Sequence, residues 1–324
     1  MLSASDVQGL YGIIVTPANE GAERWDAADT VNLTETERLT NQLIADGVSG
    51  LIVLGTTGEC ATVTDDEYRA FVDCFLSTVG GRVPTFVGAT TMGTHQSVAR
   101  LRFARERGAT GTLLGLPMWQ PCTDEMALGF YESISEAFPD LAIMVYANSN
   151  AFRYGFPPDF WVQLLDRAPT AVCAKIDPFA NYPELREVTG DRLNLMPIDS
   201  FAYPLASTYP GAVTACWATG AGMGPQPSVA LMDAILADDM NRAKAISEEM
   251  AVACETFLPP HAFPVFAHYN LQLERTRIQA ARYCDPGPIR PPYNVIPEDL
   301  AEGARECGRR WAELVKKFRG EEVR

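Results

Sequence analysis

Short apolar runs recur along the chain, separated by longer stretches in which apolar positions return every three or four residues. The runs are 11–17 (YGIIVTP), 50–55 (GLIVLG), 84–90 (PTFVGAT), 111–117 (GTLLGLP), 142–148 (AIMVYAN), 171–177 (AVCAKID), 194–199 (NLMPID) and 212–219 (AVTACWAT). They are apolar on both faces, the pattern of parallel strands covered on each side. Segments 65–79, 96–107, 124–138 and 158–167 carry helical periodicity, and two open on a capping threonine, Thr64 before Asp-Asp-Glu and Thr123 before Asp-Glu. Strand-then-helix units repeated in this way predict a closed (β/α)8 TIM barrel. An open doubly wound sheet is the alternative, but no Gly-x-Gly-x-x-Gly follows a strand to support it.

Beyond the last run the pattern changes. Segments 241–257, 262–282 and 297–318 read as helices, parted by Pro/Gly breaks at 258–260 and 285–292. The expected organisation is a (β/α)8 barrel over 1–239 and a C-terminal three-helix extension over 240–324, packed on the barrel.

Composition narrows the function. The 324 residues hold 26 basic against 41 acidic side chains, a net charge of −15. Such a surface repels nucleic acid and anionic membranes, so the expected partner is a small molecule. No apolar run approaches the roughly 20 residues of a membrane span, and no basic-then-apolar leader opens the chain. Eight cysteines are irregularly spaced without a C-x-x-C, which predicts reduced thiols in a cytoplasmic protein. His95, His261 and His268 are too scattered for a His-based metal site, so no metal is expected.

Four of the basic residues are lysines: Lys175, Lys244, Lys316 and Lys317. The last three fall in the C-terminal helices, where solvation is the ordinary role. Lys175 lies near the C-terminal end of the sixth run, inside an apolar strand. A low-dielectric setting disfavours an ammonium ion and favours a neutral, nucleophilic amine, and barrel active sites lie at this end. The competing reading is a buried salt bridge to Asp177 or Asp199.

Two further features sit at the same end of the barrel. Strand two runs into Gly55-Thr56-Thr57-Gly58-Glu59, a turn whose amides and hydroxyls suit a small anion; a plain βα turn is the other reading, with Glu59 capping it or binding backbone. Strand five ends in Tyr146-Ala-Asn148, where alternation puts Tyr146 and Asn148 on one face. They suit proton transfer and the positioning of a water or carbonyl; a core tyrosine is the alternative.

In this order, Val15-Thr16-Pro17, Gly55–Glu59, Tyr146 and Lys175 resemble the dihydrodipicolinate synthase / N-acetylneuraminate lyase family of class I aldolases. The resemblance implies a Schiff base at Lys175, a pyruvate carboxylate held by Thr56 and Thr57, proton relay by Tyr146, no cofactor and a homotetramer. Where dihydrodipicolinate synthases carry a Tyr-Tyr pair, this chain has Met118-Trp119-Gln120; where they carry an arginine five residues after the strand-five tyrosine, it has Ala151. These departures are similar to the trans-o-hydroxybenzylidenepyruvate and trans-o-carboxybenzylidenepyruvate hydratase-aldolases. The likeness extends through Ala151-Phe152, Ala215-Cys-Trp217, Tyr269-Asn270 and Arg290-Pro-Pro-Tyr-Asn294.

That subgroup implies an arylidene pyruvate substrate, cleaved with water to an aromatic aldehyde and pyruvate in aromatic-hydrocarbon degradation. Asn148 would position the water or new hydroxyl, Trp119 would wall the aryl ring, and Asn270 would reach the site from the extension. Arg153 is the candidate cation for a carboxylated ring. The alternatives are a family aldolase acting on a sugar acid or dicarboxylic aldehyde, and a pyruvate sensor without turnover.

Overall fold

A computed structural model describes residues 1–176, 181–258 and 263–320. Its strands are β1 Gly9–Ile14, β2 Gly50–Val53, β3 Thr85–Val87, β4 Gly111–Leu114, β5 Ala142–Tyr146, β6 Ala171–Lys175, β7 Asn194–Met196 and β8 Ala215–Ala218. All pairs are parallel, in the order β7-β6-β5-β4-β3-β2-β1-β8. The ring closes between β7 and β8 through a parallel bridge of Ile198 to Trp217, whose N–H donates to Pro197 O at 3.0 Å. The predicted barrel is therefore present. Each strand is shorter than its apolar run, because the run continues into the βα loop that builds the mouth.

The helices that follow the strands are α1 Leu33–Ala45, α2 Asp65–Val79, α3 Thr94–Glu106, α4 Asp124–Ala137, the short α5 Ser149–Phe152 at the mouth, α6 Pro158–Arg167, α7 Tyr182–Thr189, α8 Asp199–Thr208 and α9 Gln226–Leu236. Their ends follow from local chemistry. Thr64 accepts from Glu67 N–H at 3.3 Å while the Glu67 carboxylate accepts from Thr64 N–H at 2.8 Å, a reciprocal cap on α2. Thr123 caps α4 by accepting from Met126 N–H.

The extension forms α10 Met240–Cys254, α11 Phe263–Ala281 and α12 Glu298–Phe318, with a kink in α11 at Tyr269 (φ −125°, ψ 20°). It shares a core with one side of the barrel: Leu10, Ile14 and Cys216 from strands cluster with Ile246, Met250, Ile278 and Trp311. Trp311 is buried under the loop after β8 and donates from Nε1 to Gly224 O at 3.0 Å. This packing lays α11 across the C-terminal mouth. Among the described residues no helix is long and apolar enough to cross a membrane.

Candidate active site

Parallel pairing of β5 with β6 places Tyr146 directly beside Lys175 in register. Lys175 is 9% exposed at the end of its strand. Its Nζ lies 4.8 Å from the centre of the Tyr146 ring and 3.3 Å from that of Trp217. Two aromatic rings therefore flank the amine within cation–π distance. All three residues line a cavity of about 270 Å3 at the barrel mouth. Of the two carboxylates that could pair with Lys175, Asp199 accepts from Ser228 Oγ at 2.6 Å and from Ser200 N–H at 2.9 Å. Burial raises its pKa against the lowering effect of Ser228. Asp177, like His261, lies outside the described residues.

The turn after β2 folds into the same cavity. Thr56 and Thr57 both line it. Glu59 N–H bonds Thr56 O, and Cys60 N–H bonds Gly55 O; among the described residues neither threonine amide donates within this turn. Gly58 is required here, since a Cβ would sit 2.6 Å from the Leu54 backbone nitrogen. Thr56 Oγ1 lies 2.8 Å from the Tyr146 hydroxyl, so the Gly55–Glu59 turn and the tyrosine are joined across the mouth.

Asn148 shares the cavity face with Tyr146, as alternation predicts, but its amide is committed. Oδ1 accepts from Ala151 N–H at 3.0 Å, capping α5, and Nδ2 donates to the Tyr146 hydroxyl at 3.2 Å. The backbone N–H fixes which end is oxygen. Asn148 thus bonds the Tyr146 hydroxyl and also lines the cavity. Burial raises the Tyr146 pKa, opposed by the bonds from Thr56 and Asn148. Phe152 packs edge-on against Tyr146, with ring centres 5.3 Å apart, and backs it from outside the cavity lining.

Glu59 stands outside the described cavity lining, and it binds backbone as expected: Oε1 accepts from Arg290 N–H at 3.1 Å. Its side chain is 0% exposed and pairs with two guanidiniums from the far end of the chain, Arg275 Nη1 at 2.7 Å and Arg290 Nη1 at 2.5 Å. Both arginines also donate to Thr16 O, and Arg290 reaches Thr30 Oγ1. Burial lowers the Arg275 pKa, opposed by the Glu59 charge.

The placement of Trp119 differs from expectation. It is 73% exposed and absent from the described cavity lining, because the loop after β4 turns outward. Arg153 explains part of that: it donates to Met118 O at 2.7 Å and Trp119 O at 2.6 Å. Arg153 is therefore a loop tether, holding both carbonyls through Nη2, and it too stands outside the described lining.

The extension does reach the site. Phe266, Ala267, Asn270 and Glu274 of α11 line the cavity, as proposed for Asn270. Trp217, Glu274 and Thr219 carry no sequence-level signal of their own as site residues. Trp217 and Thr219 alternate along β8 and its end, which is the trace that finds them. Glu274 sits three residues before Arg277, a spacing that on a helix reads as a solvated pair. Among the described residues no group of three His, Cys, Asp or Glu side chains could hold a metal.

Comparison with known proteins adds three findings. Residues 7–165 match the Dihydrodipicolinate synthetase family. The chain is 38% identical over 324 residues to a trans-O-hydroxybenzylidenepyruvate hydratase-aldolase of Pseudomonas aeruginosa, covering 99% of this chain and 96% of the relative. It is 36% identical to a trans-2'-carboxybenzalpyruvate hydratase-aldolase of Nocardioides sp. (strain KP7), covering 98% and 96%. A solved structure of PhdJ bound to substrate intermediate superposes with a TM-score of 0.94 at 35% identity, covering 98% of this chain and 99% of that one.

Proposed function

The chain belongs to the dihydrodipicolinate synthetase family, and from that footing we propose that it is a class I hydratase-aldolase, converting an arylidene pyruvate and water to an aromatic aldehyde and pyruvate. The observation that carries the reading is Lys175 beside Tyr146, with Tyr146 bonded to the Thr56–Thr57 turn, in a chain so similar over its length to relatives named for that reaction.

In this reading Thr56 and Thr57 hold the pyruvoyl carboxylate. Lys175 attacks the neighbouring ketone, and loss of water leaves an iminium ion conjugated to the alkene. Water adds at the carbon bearing the aryl group, and the enamine so formed takes up a proton. Tyr146, held by Thr56 and Asn148, then accepts the proton of the new hydroxyl as the carbon–carbon bond breaks and the aldehyde leaves. The remaining enamine is protonated and hydrolysed to pyruvate. The iminium is the electron sink, so the reading calls for neither metal nor organic cofactor.

The outer part of the cavity suits the ring. Ala151 and the α11 residues Phe266 and Ala267 line it, and Lys175 is the one cation among its described lining residues. A hydroxylated or unsubstituted ring fits that wall better than a carboxylated one, since Arg153 is turned away. The same proposal places the enzyme in aromatic-hydrocarbon catabolism in the cytoplasm, as a homotetramer whose contacts would cover side chains such as Trp119.

Borohydride reduction with pyruvate, read by peptide mass spectrometry, tests the chemistry. The expected adduct is on Lys175 and disappears in Lys175→Ala, together with turnover. An adduct on Lys244, Lys316 or Lys317 would overturn the assignment. Loss of ultraviolet absorbance from a panel of arylidene pyruvates tests the substrate class, and a protein that forms the adduct but consumes none of them is a sensor or a different aldolase.

A further inference from the structure

Two cysteines meet outside the cavity, on the seam between the first and last helices of the extension. α10 and α12 run antiparallel there. Lys317 Nζ lies 2.6 Å from Glu249 Oε2, Arg310 Nη1 lies 3.4 Å from Glu255 Oε2, and Thr256 Oγ1 donates to Gly303 O at 3.0 Å. Gly303 makes the close approach possible, since a Cβ would stand 2.5 Å from Thr256 O. Cys254 lies just before Thr256, and Cys307 one helical turn after Gly303. The crossing turns the two toward each other, and the Cys254 thiol hydrogen-bonds the Cys307 sulfur. Both thiols are free, Cys307 buried and Cys254 half-buried, so solvent reaches the pair from the Cys254 side.

This pair differs from the other thiols. Burial raises the pKa of Cys60, Cys74, Cys122, Cys173, Cys216 and Cys284. Cys307 goes the other way: the bond from Cys254 lowers it, and the Arg277 cation adds to this, against burial and the charge of Glu274. Cys254 is raised, first by the same bond and then by burial, with Asp199 adding to the rise against Arg277. Arg277 is itself fixed, donating from Nη2 to Glu274 Oε2 and to Thr219 Oγ1, each at 2.7 Å. A thiolate with a cation behind it and a protonated thiol in front is the arrangement of a reactive and a resolving cysteine.

We propose that Cys254 and Cys307 form a reversible disulfide on exposure to a hydroperoxide, a redox staple between α10 and α12. The Cys307 thiolate attacks one peroxide oxygen. The O–O bond breaks, and the departing alkoxide or hydroxide takes up the proton that Cys307 had released. Cys254 sulfur then attacks the sulfenic sulfur of Cys307; the S–O bond breaks and hydroxide leaves with the Cys254 proton as water. Two thiols are oxidised by two electrons, and the peroxide is reduced to an alcohol or water and a second water. The new bond closes a loop that contains the whole of α11, the helix across the mouth, so the unfolded chain loses freedom that the folded one never had.

The test treats the full chain with hydrogen peroxide, alkylates it with N-ethylmaleimide and digests it with trypsin without a reductant. Cleavage after Lys244, Arg275, Arg305 and Arg309 puts Cys254 alone in 245–275 and Cys307 alone in 306–309. These peptides are expected to be joined, two hydrogens lighter than their sum and parted by dithiothreitol, with the remaining cysteines alkylated. The two peptides found separately alkylated, a bridge to any other cysteine, or a bridge between two copies on a non-reducing gel overturns the proposal. Dimedone, which traps sulfenic acids, should label Cys307 in Cys254→Ser and leave Cys254 unlabelled in Cys307→Ser; the reverse pattern overturns it, and if neither variant folds the wild-type peptide map decides. The linked protein should unfold at a guanidinium chloride midpoint about 0.5 M or more above that of the reduced protein. An equal or lower midpoint overturns the staple.

Discussion

Glu59→Gln isolates the charge that joins the anion turn to the C-terminal extension. Glutamine keeps the volume and one acceptor oxygen, so no cavity opens, yet two buried guanidiniums lose their only carboxylate among the described ion pairs. Arg275 and Arg290 then rely on carbonyls, among them those of Thr16, Thr30 and Pro286. Removing one partner of a buried pair costs about 3–5 kcal/mol, roughly a fifth or more of a total of about 5–15 kcal/mol for an ordinary protein. With a guanidinium chloride slope of roughly 2–6 kcal/mol per molar, the unfolding midpoint is expected to drop by about 1 M. The turn bearing Thr56 and Thr57 loosens with it, so half-maximal borohydride trapping should need more pyruvate. A midpoint shift below about 0.2 M with unchanged trapping would refute the reasoning, because the arginines would then be satisfied by backbone carbonyls alone.

Other perturbations separate the roles at the mouth. Tyr146→Phe should slow aldehyde release by about 10²-fold or more while pyruvate trapping persists; an unchanged kcat would remove Tyr146 from proton transfer. Because burial raises the Tyr146 pKa, the protonated hydroxyl persists above its ordinary range, and the pH–rate profile should show no loss from tyrosine ionisation up to pH about 10, its unperturbed value; an alkaline limb well below that would contradict the burial. Gly115→Ala puts a Cβ 2.1 Å from the Phe152 ring and should cost about 1–3 kcal/mol in stability as well as activity, through the ring that backs Tyr146; unaltered melting and turnover would mean that Phe152 is free to swing. Trp119→Ala should leave pyruvate trapping unchanged, as its exposure requires, and weakened trapping would place it in the site.

How much of this was legible in the sequence depended on the range of the interaction. Strands announced themselves because both faces of each are covered, and α2 and α4 because Thr64 and Thr123 bond within three residues of themselves. That Tyr146 and Lys175 share one end of the barrel followed from their places at the ends of successive strands; their direct register is seen only in the fold. Contacts made across hundreds of residues left no such trace. Glu59 looked like a turn residue, since nothing near it in sequence announces Arg275 or Arg290. Glu274 and Arg277 had the spacing of a surface pair, and burial under the mouth is what changes their meaning. Trp119 was misplaced for the converse reason: its position after strand four was right, but the direction of a loop is set by the Arg153 tether.

The joining of Glu59 to residues 216 and 231 positions later also orders events during synthesis. At about 5–20 residues per second, the anion turn leaves the ribosome roughly 10–45 s before its counter-ions. Strand pairing can advance from neighbour to neighbour in that interval, and Lys175 is already present. The carboxylate beneath the turn has no cation, and the helix that roofs the mouth has not been made. On the proposed function, prematurely terminated chains would carry Lys175 without a set place for a ketoacid, and such fragments are expected not to capture pyruvate. The last quarter of the chain acts as a completion signal for the first.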